Sequence, residues 1–498
     1  MKNLMHRARN WLISILRPDQ RRNWSKDQVK HYRAFLDDFE KIKGVCDATV
    51  ENIRIHDLLE KEIRNSYWIY RSSPIEQAVL IAKIVLRRVG ELVKVGGTKA
   101  DRAVVAARNN KPKALFVVSP ATGIDSLANV ATSSFEKEDV AFVCSGENSR
   151  VQGEIQRRGF PVLLADNPED SKWRPCGNEV KFLKGLWAGL RSIDRLNYVQ
   201  KLFVYLYTRS ALKSLHSYRA FFADQLKGGG CQVFTGRPRT PFIAGAIVAG
   251  RECNAEIIFV SHTIWYKLPC PVGRLYDLSI FSGAILLTEH CKQEVQRVNP
   301  NVKAAVVGMA MPKRAPQDGQ LTAVGNESKL RIGMFLGVND FIPEILPRLA
   351  KLDVEIFLKT RPPGKNASAF SYLSDLYENV SICDHADFSM DRFCNSIDVV
   401  VGGYSNAVYS AACLGVPVVG FLTPAEKLYN EFLRPVLIPF DLAVVKVSDA
   451  EELIAEVSKI SGAKDNLKSL SERQLQNASN YIPEVNFSPI NRLLSRQG

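Results

Sequence analysis

A chain of 498 residues with 46% hydrophobic side chains is too long for one ordinary domain and apolar enough to bury more than one core. Its 66 Lys+Arg against 52 Asp+Glu leave a formal charge of +14, which suits nucleic acid, an anionic membrane surface or acidic substrates. The sequence has neither an RNP-like aromatic strand nor a recognition-helix pattern, which argues against nucleic acid, and it lacks the roughly 18 uninterrupted apolar residues of a membrane span.

Residues 1–33 hold nine Lys/Arg against two acids, Asp19 and Asp27, and so carry half of the net charge. Leu4, Ala8, Trp11, Leu12 and Ile15 recur at helical spacing between basic and polar residues, and Pro18 stops the segment. This basic amphipathic helix either lies in a membrane interface, with its arginines at lipid phosphates, or packs on the body of the protein. The apolar run Trp11–Leu16 is too short for a signal peptide and no small-residue cleavage site follows. The expected location is cytoplasmic, peripheral on the inner face of the cell membrane, with residues 1–33 on an anionic surface.

From about Asp38 to Gly97 the pattern predicts helix throughout, clearest over Ile75–Val89, as an accessory layer. At Lys113 the character changes. Ala114–Ser119 is a short apolar run, Pro120–Asp125 a glycine-containing turn, the next segment to Phe135 helix-like, and Val140–Cys144 a second apolar run. That is a βαβ unit whose strands are buried on both faces. A polar, helical insertion over 166–230 interrupts the alternation, which resumes with a strand at Gln232–Phe234, a helix at Phe242–Cys253, and strands at Glu256–Val260, Leu278–Leu287 and Ala304–Gly308. Residues 311–326, rich in Pro, Gly, Gln and Asn, read as a linker.

A second alternation follows. Strands are predicted at Leu330–Leu336, Val354–Leu358, Val380–Ile382, Asp398–Val401 and Val416–Gly420, with helices at Glu344–Leu352, Met390–Ser396 and Ala407–Leu414. A polar helical segment, about Ser469 to Leu494, closes the chain and is placed to cross back to the first domain. The expected fold class is therefore α/β, two doubly wound domains facing a cleft, with an N-terminal helical extension. The expected division is 1–110 extension, 111–313 first domain, 326–475 second domain and 476–498 tail. The ten cysteines are scattered, with no CxxC pair and no closely spaced Cys/His set, and read as reduced core thiols.

The segment Asp398-Val-Val-Val-Gly-Gly-Tyr-Ser-Asn406 carries the strongest chemical signal. A buried strand ends in Gly402-Gly403, the chain turns at Tyr404, and Ser405 and Asn406 open a helix that ends at Gly415. Free N–H groups and the helix dipole make such a start an anion site for phosphate or diphosphate. Read structurally, Ser405 caps the helix and the glycines turn the chain. Lys359 and Arg361, in Phe357-Leu-Lys-Thr-Arg-Pro-Pro-Gly364, end another strand and are either phosphate ligands or solvated loop charges.

In the first half, Asp125 after Thr122-Gly123 reads as a general base or as an N-cap, and His262, in Phe259-Val-Ser-His-Thr-Ile-Trp-Tyr266, as a base or a structural imidazole. Trp265 and Tyr266 suit sugar stacking or core packing. Arg237 and Arg239 form a further basic turn at a strand end.

The arrangement of acidic residue, apolar strand, Gly, Ser, alanine-rich helix and Gly-Val-Pro-Val-Val (415–419) resembles the donor-binding motif of GT-B glycosyltransferases. The resemblance covers roughly residues 112–475 and is strongest in the second half. It implies two Rossmann-like domains, with Gly337 in the loop facing the donor phosphate, Lys359 and Arg361 on the donor phosphates, Asp384 near the donor base, and Gly403, Tyr404, Ser405 and Asn406 at the phosphate turn. Glu289-His290 resembles an element that such chains carry near the hinge.

Among GT-B groups the chain is most similar to bacterial sialyl-, Kdo- and glycerophosphate-transferases of surface polysaccharide assembly, as in capsule and lipopolysaccharide. Arg361 stands where those carry a histidine, so both CMP- and UDP-activated sugars are expected donors, with a glycan or glycolipid acceptor. No DxD occurs in either half and no Glu-x7-Glu around Glu426 and Glu431. The resemblance thus implies a metal-independent, inverting transferase with no cofactor beyond the nucleotide-sugar substrate. The competing readings are a phosphosugar epimerase and a catalytically silent GT-like scaffold that binds glycan or membrane.

Overall fold

The computed structural model describes residues 49–50, 53–58, 111–118, 124–145, 149–165, 177–193, 198–236, 240–262, 278–308, 329–335, 342–360, 372–384, 389–402, 406–421, 442–480 and 485–494. The N-terminal amphipathic segment and the 311–326 linker lie outside them. Near the start, β1 (Thr49–Val50) and β2 (Ile53–Arg54) pair antiparallel and run into a short helix, α1 (Ile55–Leu58). The all-helical expectation for 38–97 fails at this point. Thr49, Val50 and Ile53 are β-branched residues, and Ile53 and Ile55 are buried in the larger hydrophobic core, so tertiary burial overrides the helical period.

The first large sheet is built from β3 (Ala114–Val118), β4 (Val140–Ser145), β5 (Val162–Ala165), β6 (Gln232–Thr235), β7 (Glu256–Val260), β8 (Gly283–Leu286) and β9 (Lys303–Val306). Every pairing is parallel and the order is β5-β4-β3-β6-β7-β8-β9. Helices α2 (Ile124–Ser134), α3 (Ser149–Arg157), α4 (Gly177–Ser192), α5 (Tyr198–Leu226), α6 (Pro241–Glu252) and α7 (Glu289–Val298) form the connections. The strand expected over 278–287 shortens to β8, because Leu278–Ile280 enters through a turn. Phe116, Phe142 and Phe234 stack across three adjacent strands, with centroids 5.1 and 4.6 Å apart, and fill the centre of this layer.

The second sheet contains β10 (Leu330–Phe335), β11 (Val354–Lys359), β12 (Val380–Cys383), β13 (Val399–Gly402), β14 (Val418–Phe421) and β15 (Val445–Val447). It is also wholly parallel, in the order β12-β11-β10-β13-β14-β15. Around it lie α8 (Ile342–Leu349), α9 (Tyr372–Leu376), α10 (Met390–Asn395), α11 (Asn406–Cys413), α12 (Ala450–Gly462) and α13 (Leu467–Ser479). The two sheets are thus doubly wound α/β units of the same topology, as expected. No helix among the described residues is long and apolar enough to cross a membrane.

Gln474 on α13 is fully buried. Its Oε1 accepts from the N–H of Val418 at 3.0 Å and of Val444 at 3.3 Å, while its Nε2 donates to Leu442 at 2.7 Å. One amide thereby satisfies backbone groups at the entrances of β14 and β15. Gln474→Leu is expected to leave all three unpaired and cost about 3 kcal/mol, read as a fall in the urea midpoint at unchanged slope.

Beyond α13 the chain returns to the first sheet. The Asn486 N–H donates to Val307 at 3.0 Å, and α14 (Ser488–Leu494) packs against β9. The expected crossing is present.

Candidate functional site

In open parallel sheets a ligand binds beyond the carboxyl ends of the strands, where the winding reverses. The strand orders place those reversals between β3 and β6 in the first sheet and between β10 and β13 in the second. The residues singled out from sequence follow these same strands or their neighbours in the chain: Gly337 comes after β10, Lys359 ends β11 and Arg361 comes two residues later, Asp384 follows β12, Gly403–Ser405 come after β13, and Asn406 opens α11. In the first sheet Asp125 follows β3, Arg237 and Arg239 follow β6, and His262 follows β7. Gly337, Arg361, Gly403, Tyr404, Ser405, Trp265, Tyr266, Arg237 and Arg239 themselves lie outside the described residues, as does the side chain of Asn406.

Lys359 is a described cation at this edge, as is Arg392, which acts on the same Cys383, and Lys359 is buried, with 4% of its surface exposed. The parallel register sets it between Phe335 on β10 and Cys383 on β12. Its Nζ stands 5.6 Å from the centre of the Phe393 ring, and Phe335 packs on the same ring at 5.4 Å. Burial holds the Lys359 ammonium below its ordinary value, against the opposing pull of Cys383, Cys394 and Asp384. The Cys383 thiol is pushed up to about 11 by the same burial. Phe393 had no signal in the sequence beyond its place in a short helix, because only the sheet order brings α10 beneath the end of β11.

The helix that follows β13 ends as expected at Gly415. The Val416 N–H donates to Ala411 and the Gly415 N–H to Ala412, both at 3.0 Å, with Gly415 at φ +76. This left-handed glycine cap fixes where α11 stops and thereby which way its first turn points.

Asp398, the acid that opens the motif, is held by Arg331. Its Oδ2 accepts from the Arg331 N–H at 2.8 Å and its Oδ1 from Nη2 at 2.7 Å. It pins the start of β13 to the start of β10, at the opposite ends of the strands from the site, so its role is positional. Asp398→Ala is expected to lower stability by about 2 kcal/mol in thermal unfolding, because the half-buried guanidinium loses a bidentate partner.

Asp125 lies in the first turn of α2 rather than before it, well exposed and paired with Arg158. It favours the helix dipole from inside the helix and so fits neither the cap nor a poised base without releasing Arg158. His262 is half-buried directly after the buried Ser261. Thr288 is the N-cap of α7, accepting from the Cys291 N–H at 3.0 Å, while Glu289 in that first turn pairs with Lys292 at 3.4 Å. That accounts for the Thr-Glu element in structural terms. Cys144, Cys231, Cys253, Cys291, Cys383, Cys394 and Cys413 are free thiols, most of them buried. Burial raises Cys144 and Cys231 to about 12, as expected of inert core residues.

The fold and edge geometry define a two-sheet α/β protein with a buried lysine at the carboxyl edge of its second sheet. No family model and no curated protein sequence matches the chain. Among solved structures it is similar to a glycosyltransferase from Rickettsia africae ESF-5, at 11% identity and a TM-score of 0.44, over 74% of this chain and 94% of that one. It is likewise similar to the glycosyltransferase SsfS6 of Streptomyces sp. SF2575, complexed with thymidine diphosphate, at 15% identity and a TM-score of 0.40, over 77% and 99%. A third similar structure is UDP-GlcNAc 2-epimerase from Neisseria meningitidis bound to UDP-GlcNAc, at 12% identity and a TM-score of 0.41, over 74% and 96%. Likenesses this distant concern the path of the chain alone.

Proposed function

We propose that the protein is a glycosyltransferase that takes a sugar from a nucleotide-activated donor and transfers it to a glycan or glycolipid. The observation that carries this reading is the buried Lys359 at the carboxyl end of β11, one strand from the winding reversal of the second sheet. Lys359 already feels Cys383, Cys394 and Asp384, and a cation held at this edge also draws the negative charge of a ligand. With the first turn of α11 on the next strand but one, a cation and a helix N-terminus converge on the place where a donor diphosphate would lie.

In this reading the charge of the departing nucleotide is stabilised by Lys359, Arg361 and the helix dipole at Ser405 and Asn406, without a metal and with inversion. Gly337, Gly403 and Tyr404 shape the phosphate turn and Asp384 faces the base. The acceptor approaches the first sheet, where His262 removes the proton from the acceptor hydroxyl, since an imidazole titrates near neutral pH. Asp125 serves as an alternative base only if its pairing with Arg158 is released. The division into a 1–110 extension, a 111–313 acceptor domain, a 326–475 donor domain and a 476–498 tail is part of the same proposal. So are a cleft between the two domains, a role in surface polysaccharide synthesis, and attachment of residues 1–33 to the inner membrane face.

Thermal unfolding with CMP, CDP, UDP and GDP in turn tests the donor site. One of them at a hundredfold excess over its Kd is expected to add about 2.7 kcal/mol of apparent stability, and Ser405→Ala/Arg361→Ala to remove most of that gain. Stabilisation by none of the four would overturn the donor reading in favour of a silent scaffold. If stabilisation comes with epimerisation of the nucleotide-sugar and no transfer to any acceptor, the enzyme is an epimerase.

A further inference from the structure

Helices α4 and α5 expose a surface that the donor site does not use. Six large hydrophobic side chains are exposed among the described residues, and three of them, Tyr198, Leu202 and Leu206, follow one another at four-residue steps on α5. They are 69%, 37% and 50% exposed and form one stripe about 12 Å long at 1.5 Å per residue. The opposite face of α5, with Val204, Thr208, Ala211, Leu212 and Leu215, is buried, so the stripe is not the helix's own contact with the core. Trp187 on α4 packs edge-on against Tyr198 at 6.2 Å and Tyr205 at 5.3 Å and joins the two helices into one aromatic patch.

Among the described residues of α4 and the first half of α5, the exposed charge has one sign. Among the described residues from Gly177 to Lys213 the cations are Lys181, Lys184, Arg191, Lys201, Arg209 and Lys213. The acid there, Glu179, is buried and set against His216. Lys184 and Arg191 are exposed along α4, and Arg209 continues the exposed face of α5. Aromatic and leucine side chains bordered by Lys and Arg match the acyl boundary and phosphate layer of an anionic bilayer.

The charge also disfavours two other occupants. The chain's own amphipathic segment, 1–33, is itself strongly basic. In a twofold dimer the same basic patch would meet its copy.

We infer that the α4–α5 face is a second membrane-docking surface, specific for anionic lipid and separate from residues 1–33. The inference does not rest on the donor reading, since a protein that binds no nucleotide could still dock through this face.

The test is flotation of the full chain with phosphatidylcholine vesicles, with and without phosphatidylglycerol. The parent is expected to float with the anionic vesicles and to be released by salt. Leu202→Gln/Leu206→Gln should weaken this binding at least about tenfold. Lys184→Gln/Arg191→Gln/Arg209→Gln should weaken it about a hundredfold, at roughly fivefold per charge. Both variants should melt with the parent, since none of these side chains is buried. The loss must recur in a full chain that also carries Trp11→Gln/Leu12→Gln, which isolates the face from the N-terminal segment.

Anionic binding that survives the paired leucine substitutions overturns the inference, as does equal binding to neutral vesicles. Self-association that those substitutions abolish, with no effect on flotation, would make the face a contact between copies and overturn it too.

Discussion

Lys359→Met is expected to reduce transfer by about a hundredfold or more while leaving the fold intact, and to abolish stabilisation by the nucleotide that the parent prefers. Methionine keeps the unbranched stem in the pocket formed by Phe335, Cys383 and Phe393, so the change removes charge and little volume. The pH dependence has a definite sign. Burial lowers the affinity of Lys359 for its proton, so the neutral form gains population at a pH where an ordinary lysine is still fully charged. Affinity for a diphosphate should therefore decline as the pH rises through that lowered value. Lys359→Arg, whose charge does not titrate in this range, should flatten the decline even where it weakens binding.

The same shift makes the unfolded chain the stronger proton acceptor. This lysine therefore costs stability below its folded value, the cost is relieved as the pH rises from the folded toward the unfolded value, and a bound anion reverses it. Isothermal titration with the preferred nucleotide across alkaline pH, in parent and variants, reads the effect on affinity, and chemical unfolding over the same range reads the effect on stability. A Lys359→Met protein with undiminished affinity and turnover would remove the buried lysine from the site.

Gly245→Val should be the most damaging single change away from any site. Gly245 lies in α6 where it crosses α5, and a Cβ there would stand 2.8 Å from the Arg219 backbone nitrogen, 2.8 Å from Tyr218 Cβ and 3.0 Å from the Leu215 carbonyl oxygen. Two of the three neighbours are backbone, so the helices have to separate for a side chain to fit. Overpacking of this kind costs about 3 kcal/mol, and the β-branched valine adds its own crowding. Separation also strains the contact of Arg219 on α5 with Glu252 on α6, where the Arg219 Nε donates at 2.8 Å. Chemical unfolding should show a marked loss for Gly245→Ala and a larger one for Gly245→Val. Near-parental stability in both would mean that the α5–α6 crossing yields to an added side chain at little cost.

Most of both sheets was legible because parallel strands buried on both faces read as unbroken apolar runs. Ala114–Val118, Val140–Ser145 and Val399–Gly402 are each almost wholly buried, as their composition foretells. The strands that escaped notice lie at edges. In β5 the middle pair, Leu163 and Leu164, is only half-buried, and β15 is three residues long with the exposed Lys446 at its centre. Neither offers a run long enough to stand out.

At the site, the sequence revealed which residues end strands, since Gly and Pro punctuate them. It did not reveal strand order, and order alone puts Lys359 between Phe335 and Cys383. Nor could periodicity tell that Asp398 is occupied by Arg331, a residue far away along the chain.

The return of the chain to β9 sets the order in which the protein can be finished. During synthesis the strands of the first sheet emerge early, yet the segment that bonds Val307 and lies against β9 is made after the whole of the second sheet. Until then the part of β8 and β9 that Leu493 and its helix cover stays open to any passing chain. The nascent protein therefore spends its synthesis time with part of one sheet uncovered, and covering it requires a contact of long sequence separation, the kind that forms slowly.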